Sequence, residues 1–327
     1  MNRTRVIFLK IFKCLLAIWI FGLIWFNGPI AGHNLWNPLL AILWLIALIL
    51  VISKLPAGKA MMSGQLAFFV LPVAVFSLIR PSNHRDWQVS SSRTPYATLT
   101  GNLVTVHEIR SFDYDADGNE IPHWSTRTYN LENLVAMDVF MTHWKSDYAG
   151  HPLFSFDFGA EGHLAFSIEA RLEKDESYQL LSGLYRRYEL IYIACEESDA
   201  VRARSHYRDN ESVHIYRTIA SPQQARARFM EFVRTMNQLR EKPRFYNILT
   251  SNCTTAVRSQ MDGGFPMDWR IIANGKLDEL LYERNILETA GLSFAQLKER
   301  SYLDPLVIGN PGKERYSSRI RDGRPGF

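Results

Sequence analysis

Charged positions divide the chain into two unlike parts. No Asp, Glu, Lys or Arg occurs between Lys13 and Lys54. That stretch holds two apolar runs, residues 14–26 and 39–52, joined by the turn-rich sequence NGPIAGHNLWNP. With its uncharged flanks, each run reaches the roughly 20 residues that a membrane helix needs. A third uncharged run covers residues 60–79 and contains Pro72, which a membrane span tolerates. The pattern predicts a membrane domain over residues 1–80, with transmembrane helices at about 12–31, 37–53 and 61–79. A cleaved signal peptide is the competing reading of the first run. No small-x-small cleavage site follows it, and further apolar runs do.

From about residue 81 the pattern is that of a soluble domain reaching residue 327. NLVTVHEIRSF alternates and reads as a strand, and DYDADGNE after it as a polar hairpin turn. No Glu closes that turn at the distance a calcium loop requires. HPLFSFDFG from His151 and HLAFSIEAR from His163 alternate on either side of GAEG and predict a hairpin. RRYELIYIAC reads as a central strand. Residues 221–241 predict a helix: Ser221 caps it, Pro222 takes its first position and Gln224 completes a capping box. Ala225, Phe229, Phe232, Val233, Met236 and Leu239 fall on one face. TTAVRSQM predicts another helix, stopped by DGG, and a last helical region covers about residues 277–300. Strands and helices in this mixture give an α+β class, an antiparallel sheet with helices packed against it.

Charge adds orientation. Arg3, Arg5, Lys10 and Lys13 precede the first run, Lys54 and Lys59 lie between the second and third, and the first connection is uncharged. The positive-inside rule places the N-terminus and the second loop in the cytoplasm, so three spans send the soluble domain to the other side. Arg80 and Arg85 argue mildly against this, and with only two spans the domain would be cytoplasmic. A net charge of +4 without a basic stripe interleaved with aromatics excludes nucleic acid as the expected partner.

The chain has three cysteines, Cys14, Cys195 and Cys253. Cys253 lies in FYNILTSNCTTAV, where Ser251 or Asn252 can cap a helix starting at the cysteine. A helix N-terminus and a nearby imidazole both lower a thiol pKa, and a third polar group that orients the ring completes nucleophile–base logic. Of nine histidines, His33 falls in a membrane loop, and His84, His206 and His214 in charged stretches that read as exposed. His107 and Glu108 begin like a zinc helix, but Ser111 breaks the motif. No Cys-x-x-Cys occurs, so neither a metal site nor a cofactor is expected. His123, His143, His151 and His163 remain, and His151 is best placed, after Gly150 at the start of an aromatic strand. Two other readings of Cys253 stay open on these residues: a disulfide with Cys195 and a buried inert thiol.

Several segments resemble the Lnb-type lipoprotein N-acyltransferase family of bacterial membrane proteins. They are RDW at 85–87, HPLFSFDFG from His151, FSIEAR from Phe166, YELIYIACEESD from Tyr188, FYNILTSNCTT from Phe245 and RIRDG at 319–323. The resemblance covers roughly residues 81–327. It implies a circularly permuted papain-like (NlpC-like) domain, related to NlpC-type peptidases and lecithin:retinol acyltransferase, in which a histidine at a strand start precedes the cysteine at a helix N-terminus. His151 and Cys253 stand in that order. It also implies a multi-pass protein of the bacterial inner membrane with the soluble domain in the periplasm, and Cys195 as an incidental strand residue. Ser167 and Glu169 are candidates for the third polar group. A four-residue GAEG loop with regular pairing would put both on the sheet face opposite His151.

The activity implied is acyl transfer at the outer leaflet, with membrane lipid and lipoprotein substrates. Cys253 would attack an ester to give a thioester, and a lipoprotein N-terminal amine would take the acyl group. His151 would move the protons, and the Cys253 amide with Asn252 would stabilise the oxyanion. Arg171, Arg186 and Arg187 are candidates for holding an anionic headgroup, against the plainer reading of exposed ion pairs. The same dyad would serve a cysteine peptidase or amidase on cell-wall peptides. A non-enzymatic membrane scaffold with a Cys195–Cys253 disulfide is the third reading.

Overall fold

Three apolar helices open the chain in the computed structural model: α1 (Arg3–Asn27), α2 (Trp36–Lys54) and α3 (Lys59–Leu78). The structure describes residues 3–28, 35–54, 59–115, 117–250, 268–271, 273–309 and 312–327. Two stretches, Ile7–Asn27 and Trp36–Lys54, are long and apolar enough to cross a membrane, whereas the apolar part of α3, Met62–Leu78, is shorter. Ile20, Leu23 and Ile24 of α1 pack on Ala41, Trp44 and Leu48 of α2 and Phe76 of α3. Pro72 lies inside α3 and has no N–H for the Phe68 carbonyl four residues earlier. The Trp44 indole N–H donates to that carbonyl at 3.1 Å, so the proline and the tryptophan answer each other across the helix pair.

The rest of the chain is sheet-rich. Its strands are β1 (Tyr96–Thr100), β2 (Leu103–Arg110), β3 (Asp113–Tyr114), β4 (Glu120–Ile121), β5 (Trp124–Asn130), β6 (Ala136–Trp144), β7 (Ser146–Asp157), β8 (His163–Arg171), β9 (Glu189–Cys195) and β10 (Glu211–Arg217). The main sheet runs β1-β2-β9-β8-β7-β6-β10, with β5 also on β2, while β3 and β4 form the small hairpin predicted at DYDADGNE. Its pairs are antiparallel except β2 with β9, which meet in parallel at Arg110 and Cys195.

Both faces are covered. The helices α4 (Glu197–Arg202) and α5 (Pro222–Glu241) lie on opposite sides. α5 carries the capping box of Ser221 and Gln224 and buries the six apolar residues predicted for its inner face. Phe229 and Phe232 interleave with Phe156 and Phe166 of the sheet, and burying each such ring is worth about 1.5–3 kcal/mol. On the other face Phe140, Leu153, Ala165, Ile193 and Cys195 pack with Val201, Tyr316 and Ile320.

The helical region expected over 277–300 is broken into Leu277–Glu283 and Phe294–Ser301. Asn285, Ala290 and Gly291 take positive φ, which ends one helix, and Ser293 with Gln296 caps the next. The helix expected at TTAVRSQM lies outside the described residues.

One end of the sheet meets the apolar helices. Arg171 at the end of β8 pairs with Glu189 at the start of β9, and the link between them reaches α1. Asn27 donates to the carbonyls of Tyr185 and Arg186, and Phe26 stacks on Tyr185 at 5.3 Å between centroids. At the far end of the helices, Lys13 donates to Gln65.

Candidate active site

The hairpin register decides which residues meet His151. β7 and β8 pair from Leu153 with Ser167 to Asp157 with His163. The connection is therefore five residues, 158–162, with the Phe158 N–H closing on the Gly162 carbonyl and Gly159 and Gly162 at positive φ. One residue more than the GAEG loop moves every β8 side chain to the other face. Ser167 and Glu169 consequently share a face with His151, which corrects the expectation that they would lie opposite it.

The contacts form a directed chain. His151 Nε2 lies 2.7 Å from Ser167 Oγ, and Ser167 Oγ donates to Glu169 Oε1 at 2.6 Å. A hydroxyl has one proton. Since that proton goes to the carboxylate, Ser167 accepts from His151, so Nε2 carries the hydrogen and Nδ1 is left with its lone pair. Arg204 anchors the far end through Nη2 to Glu169 Oε1 at 3.0 Å and is itself held by the Ala200 carbonyl. It sits in the π turn Ala203–Tyr207, a distortion common at functional sites.

Burial pushes the His151 imidazole down to about 4, assisted by the positive Arg204 and Arg208, against the smaller pull of Glu169. Burial alone would raise Glu169, but Arg204, His151 and Arg110 outweigh it and hold the carboxyl down at about 2. At neutral pH the ring is a neutral base facing away from a carboxylate that orients it. Trp144 lies nearly parallel to the ring, 6.3 Å between centroids.

Cys253 and Asn252 lie outside the described residues. The chain on both sides of them is fixed. On the entering side, Phe245 bridges to Glu189, Tyr246 donates to the Tyr188 carbonyl and Ile248 to the Gly183 carbonyl. Asn247 Oδ1 then accepts from the amides of Leu249 and Thr250. On the returning side, the turn Asn274–Lys276 docks against the start of β7. The Gly150 N–H donates to Asn274 Oδ1 at 3.2 Å. A Cβ on Gly275 would sit 2.6 Å from the Ala149 nitrogen and one on Gly150 3.0 Å from the Gly275 Cα. Only glycine allows the two backbones to approach this closely, one residue before His151.

The other three histidines are placed differently. His143, on the opposite face of the sheet, donates through Nε2 to the Gly275 carbonyl at 3.1 Å and stands 3.4 Å from Asp278. His163 pairs with Asp157 at 3.6 Å, at the hairpin end far from Glu169. His123 is exposed beside the small β3–β4 hairpin. His214 is not exposed as its charged surroundings suggested: it is buried, its ring perpendicular to that of His143 at 5.1 Å.

Arg171 does not fit a headgroup clamp. It is 1% exposed, donates to the Ser91 and Ser92 carbonyls and Asn83, and stacks on Trp87. This is what the RDW and SIEAR segments do together. Arg187 pairs with Glu176 at 2.7 Å, and Arg186 is exposed over Phe76. The RIRDG segment is also structural: Arg321 joins Asp138 and Glu197 in the interior. Cys195 is a free, buried thiol on the Ala165 carbonyl, and burial, only partly offset by Arg110, pushes it up to about 12. A thiol so raised is inert at neutral pH.

Residues 120–275 match a family model described as the Lnb N-terminal periplasmic domain. Over these residues the chain is similar to the Lnb-type family. The matched stretch spans β4 to the Asn274–Lys276 turn and so contains His151, Ser167, Glu169 and both flanks of Cys253. With the two long apolar helices, the Lnb match suggests a membrane protein with a periplasmic domain. No curated protein and no solved structure matches the chain.

Proposed function

We propose that this protein is a membrane-anchored acyltransferase that moves an acyl chain through a Cys253 thioester to the N-terminal amine of a lipoprotein. The observation that carries the proposal is the relay His151–Ser167–Glu169 standing beside the turn that closes the Cys253 segment. His151 lies inside β7 and not at its start as the sequence suggests; its order in the chain, ahead of the cysteine, supports a permuted papain-like arrangement of residues 81–327.

The chemistry follows from the tautomer. His151 Nδ1 takes the thiol proton, and the Cys253 thiolate attacks the ester carbonyl. The tetrahedral oxyanion is met by the Cys253 amide and Asn252. The ester C–O bond breaks, the alcohol leaves with the proton from His151, and an acyl thioester remains. The amine, with a pKa near roughly 8 and partly neutral, attacks the thioester. Its proton passes through His151 to the departing thiolate, so one ester and one amine become one amide and one alcohol. Ser167 and Glu169 keep Nδ1 turned to the reacting atoms and stabilise the imidazolium formed at each transfer.

Three spans fit this reading. The end of α1, the start of α2 and the exit from α3 all stand at the domain side, while Lys13 and Lys54 lie toward the other end. Basic residues away from the domain favour its placement outside the cytoplasm, in a multi-pass protein of the inner membrane. Arg186, exposed at the level of the helix ends, faces headgroups. The test is mass spectrometry of lipoprotein N-termini from cells with the wild-type chain and with Cys253→Ala. N-acylated termini that depend on Cys253 support the proposal. Unmodified lipoproteins with Cys253-dependent cleavage of cell-wall peptides would replace it with a peptidase.

A further inference from the structure

The end of the sheet that carries His151 also carries an exposed aromatic rim. Trp144 at the end of β6 is 39% exposed, Tyr148 at the start of β7 58%, and Trp269 58%. Tyr148 and Trp269 lie 6.1 Å apart between ring centroids, and Trp144 lies over His151. Leu180 and Leu181, in the link between β8 and β9, are exposed at the same end of the sheet. Large apolar side chains left in water are individually ordinary, but a group of them at one end of a domain marks a docking surface.

Sheet topology says which end this is. The start of β7, the end of β8 and the start of β9 are at one level of the sheet, and β6 ends beside β7. The β8–β9 link at that level is the part of the domain that sits on α1, through Tyr185 on Phe26 and Asn27 on Tyr185 and Arg186. The rim thus continues the surface from which the apolar helices leave the domain. Trp and Tyr, amphipathic rings with a polar edge, are the residues that settle at a membrane–water interface. We infer that Trp144, Tyr148 and Trp269, with Leu180 and Leu181, rest in the headgroup region of the bilayer that the helices cross, and so hold the mouth of the His151 site against the lipid surface.

This inference rests on the membrane reading of the proposed function and not on its chemistry. It explains how an ester buried at a bilayer surface reaches a side chain on a folded domain: the site is lowered onto the interface and the lipid need not leave it. A surface that instead received a polypeptide would give the opposite result in the following test.

The test uses the full-length chain reconstituted in phosphatidylcholine vesicles, with and without bromine atoms on the upper acyl-chain carbons. Trp144→Phe and Trp269→Phe are combined in one variant, and Trp124→Phe serves as control, since Trp124 stacks edge-on with Phe112 at the distal end of the sheet. The emission lost in the double variant, relative to wild type, is expected to be the bromolipid-quenched kind and to resist aqueous iodide. The emission lost with Trp124→Phe should resist bromolipid. If the Trp144 and Trp269 emission is quenched by iodide and untouched by bromolipid, the docking surface is refuted. The readout is independent of turnover. A chain that docks but transfers no acyl group would refute the proposed chemistry alone, and one that transfers without docking would refute the rim alone.

Discussion

His151 and Ser167 lie on one face of the β7–β8 hairpin with Nε2 and Oγ 2.7 Å apart, because the connecting loop has five residues. The imidazole is held in one tautomer by a hydroxyl whose own proton is committed to Glu169. His151→Ala removes the base and should lower acyl transfer by about 10²–10⁴-fold. Ser167→Ala leaves the ring in place and frees it to flip, a loss expected at about 10–100-fold, as when a partner orienting a functional imidazole is removed. Ser167→Thr keeps the hydroxyl and should recover most of the rate. Equal activity of the alanine and threonine variants would show that the hydroxyl plays no part.

Acid should weaken the domain, and the window follows from the groups that shift. His151 titrates near 4 and His214 near 3 in the folded chain, against 6.5 ordinarily. Between those values the unfolded chain binds protons that the folded one refuses, so their contribution is full above about 6.5 and falls as pH drops. Glu169, held at about 2 against an ordinary 4.5, adds stability above 4.5 that is lost toward 2. Denaturant midpoints should therefore decrease from pH 7 to pH 5, and His151→Gln should reduce that decrease, with His214 supplying the remainder. A midpoint difference unchanged by His151→Gln would contradict the buried neutral imidazole.

The contact between Gly150 and Gly275 couples the base strand to the returning flank of the Cys253 segment. Gly275→Ala drives a methyl to 2.6 Å from the Ala149 nitrogen and 2.7 Å from the Tyr148 carbonyl carbon, both backbone atoms that cannot swing aside. The turn should lift from β7 at a cost of about 1–3 kcal/mol, the scale of overpacking. Activity should fall in a variant that remains folded by circular dichroism. Wild-type activity with wild-type stability would mean that the two backbones are not in contact.

Much of this was legible in the sequence, for identifiable reasons. α5 was readable to its cap because a 3.6-residue pattern, Ser221, Pro222 and Gln224 agree. His151 was singled out by its position after Gly150. Ser167 and Glu169 are legible as relay partners but their face is not, because the sequence does not show that Phe158 belongs to the loop and not to the strand, and by parity one residue inverts the face. Arg204, which holds Glu169, gave no signal: RARSHYR has the composition of a solvated surface, and only its docking under β8 makes it interior. The burial of His214 is hidden in the sequence for the same reason. Arg171 looked like a surface cation because sequence does not show that three oxygen acceptors, the Ser91 and Ser92 carbonyls and the Asn83 side chain, converge on it. The break at Asn285 was hidden because residues with side chains took the positive φ that glycine usually announces.

Cys195 separates the enzyme from the scaffold. It is buried on the Ala165 carbonyl and pushed up to about 12, so Cys195→Ala should leave activity within about twofold, with only a small core loss. Native protein treated with iodoacetamide at neutral pH should be unlabelled at Cys195 by peptide mapping. Labelling there ahead of Cys253, or a Cys195–Cys253 disulfide in active protein, would overturn the assignment of Cys253 as the reactive thiol.

The central claim is a covalent acyl group on Cys253. Full-length protein in vesicles containing an ester donor, stopped by acid before an amine acceptor is added, is digested and mapped by mass spectrometry. The account predicts an acyl adduct on the Cys253 peptide that neutral hydroxylamine removes, that disappears when the lipoprotein amine is supplied, and that forms far more slowly in His151→Ala. Amide product that forms with no adduct on Cys253, or in Cys253→Ala protein, would contradict it.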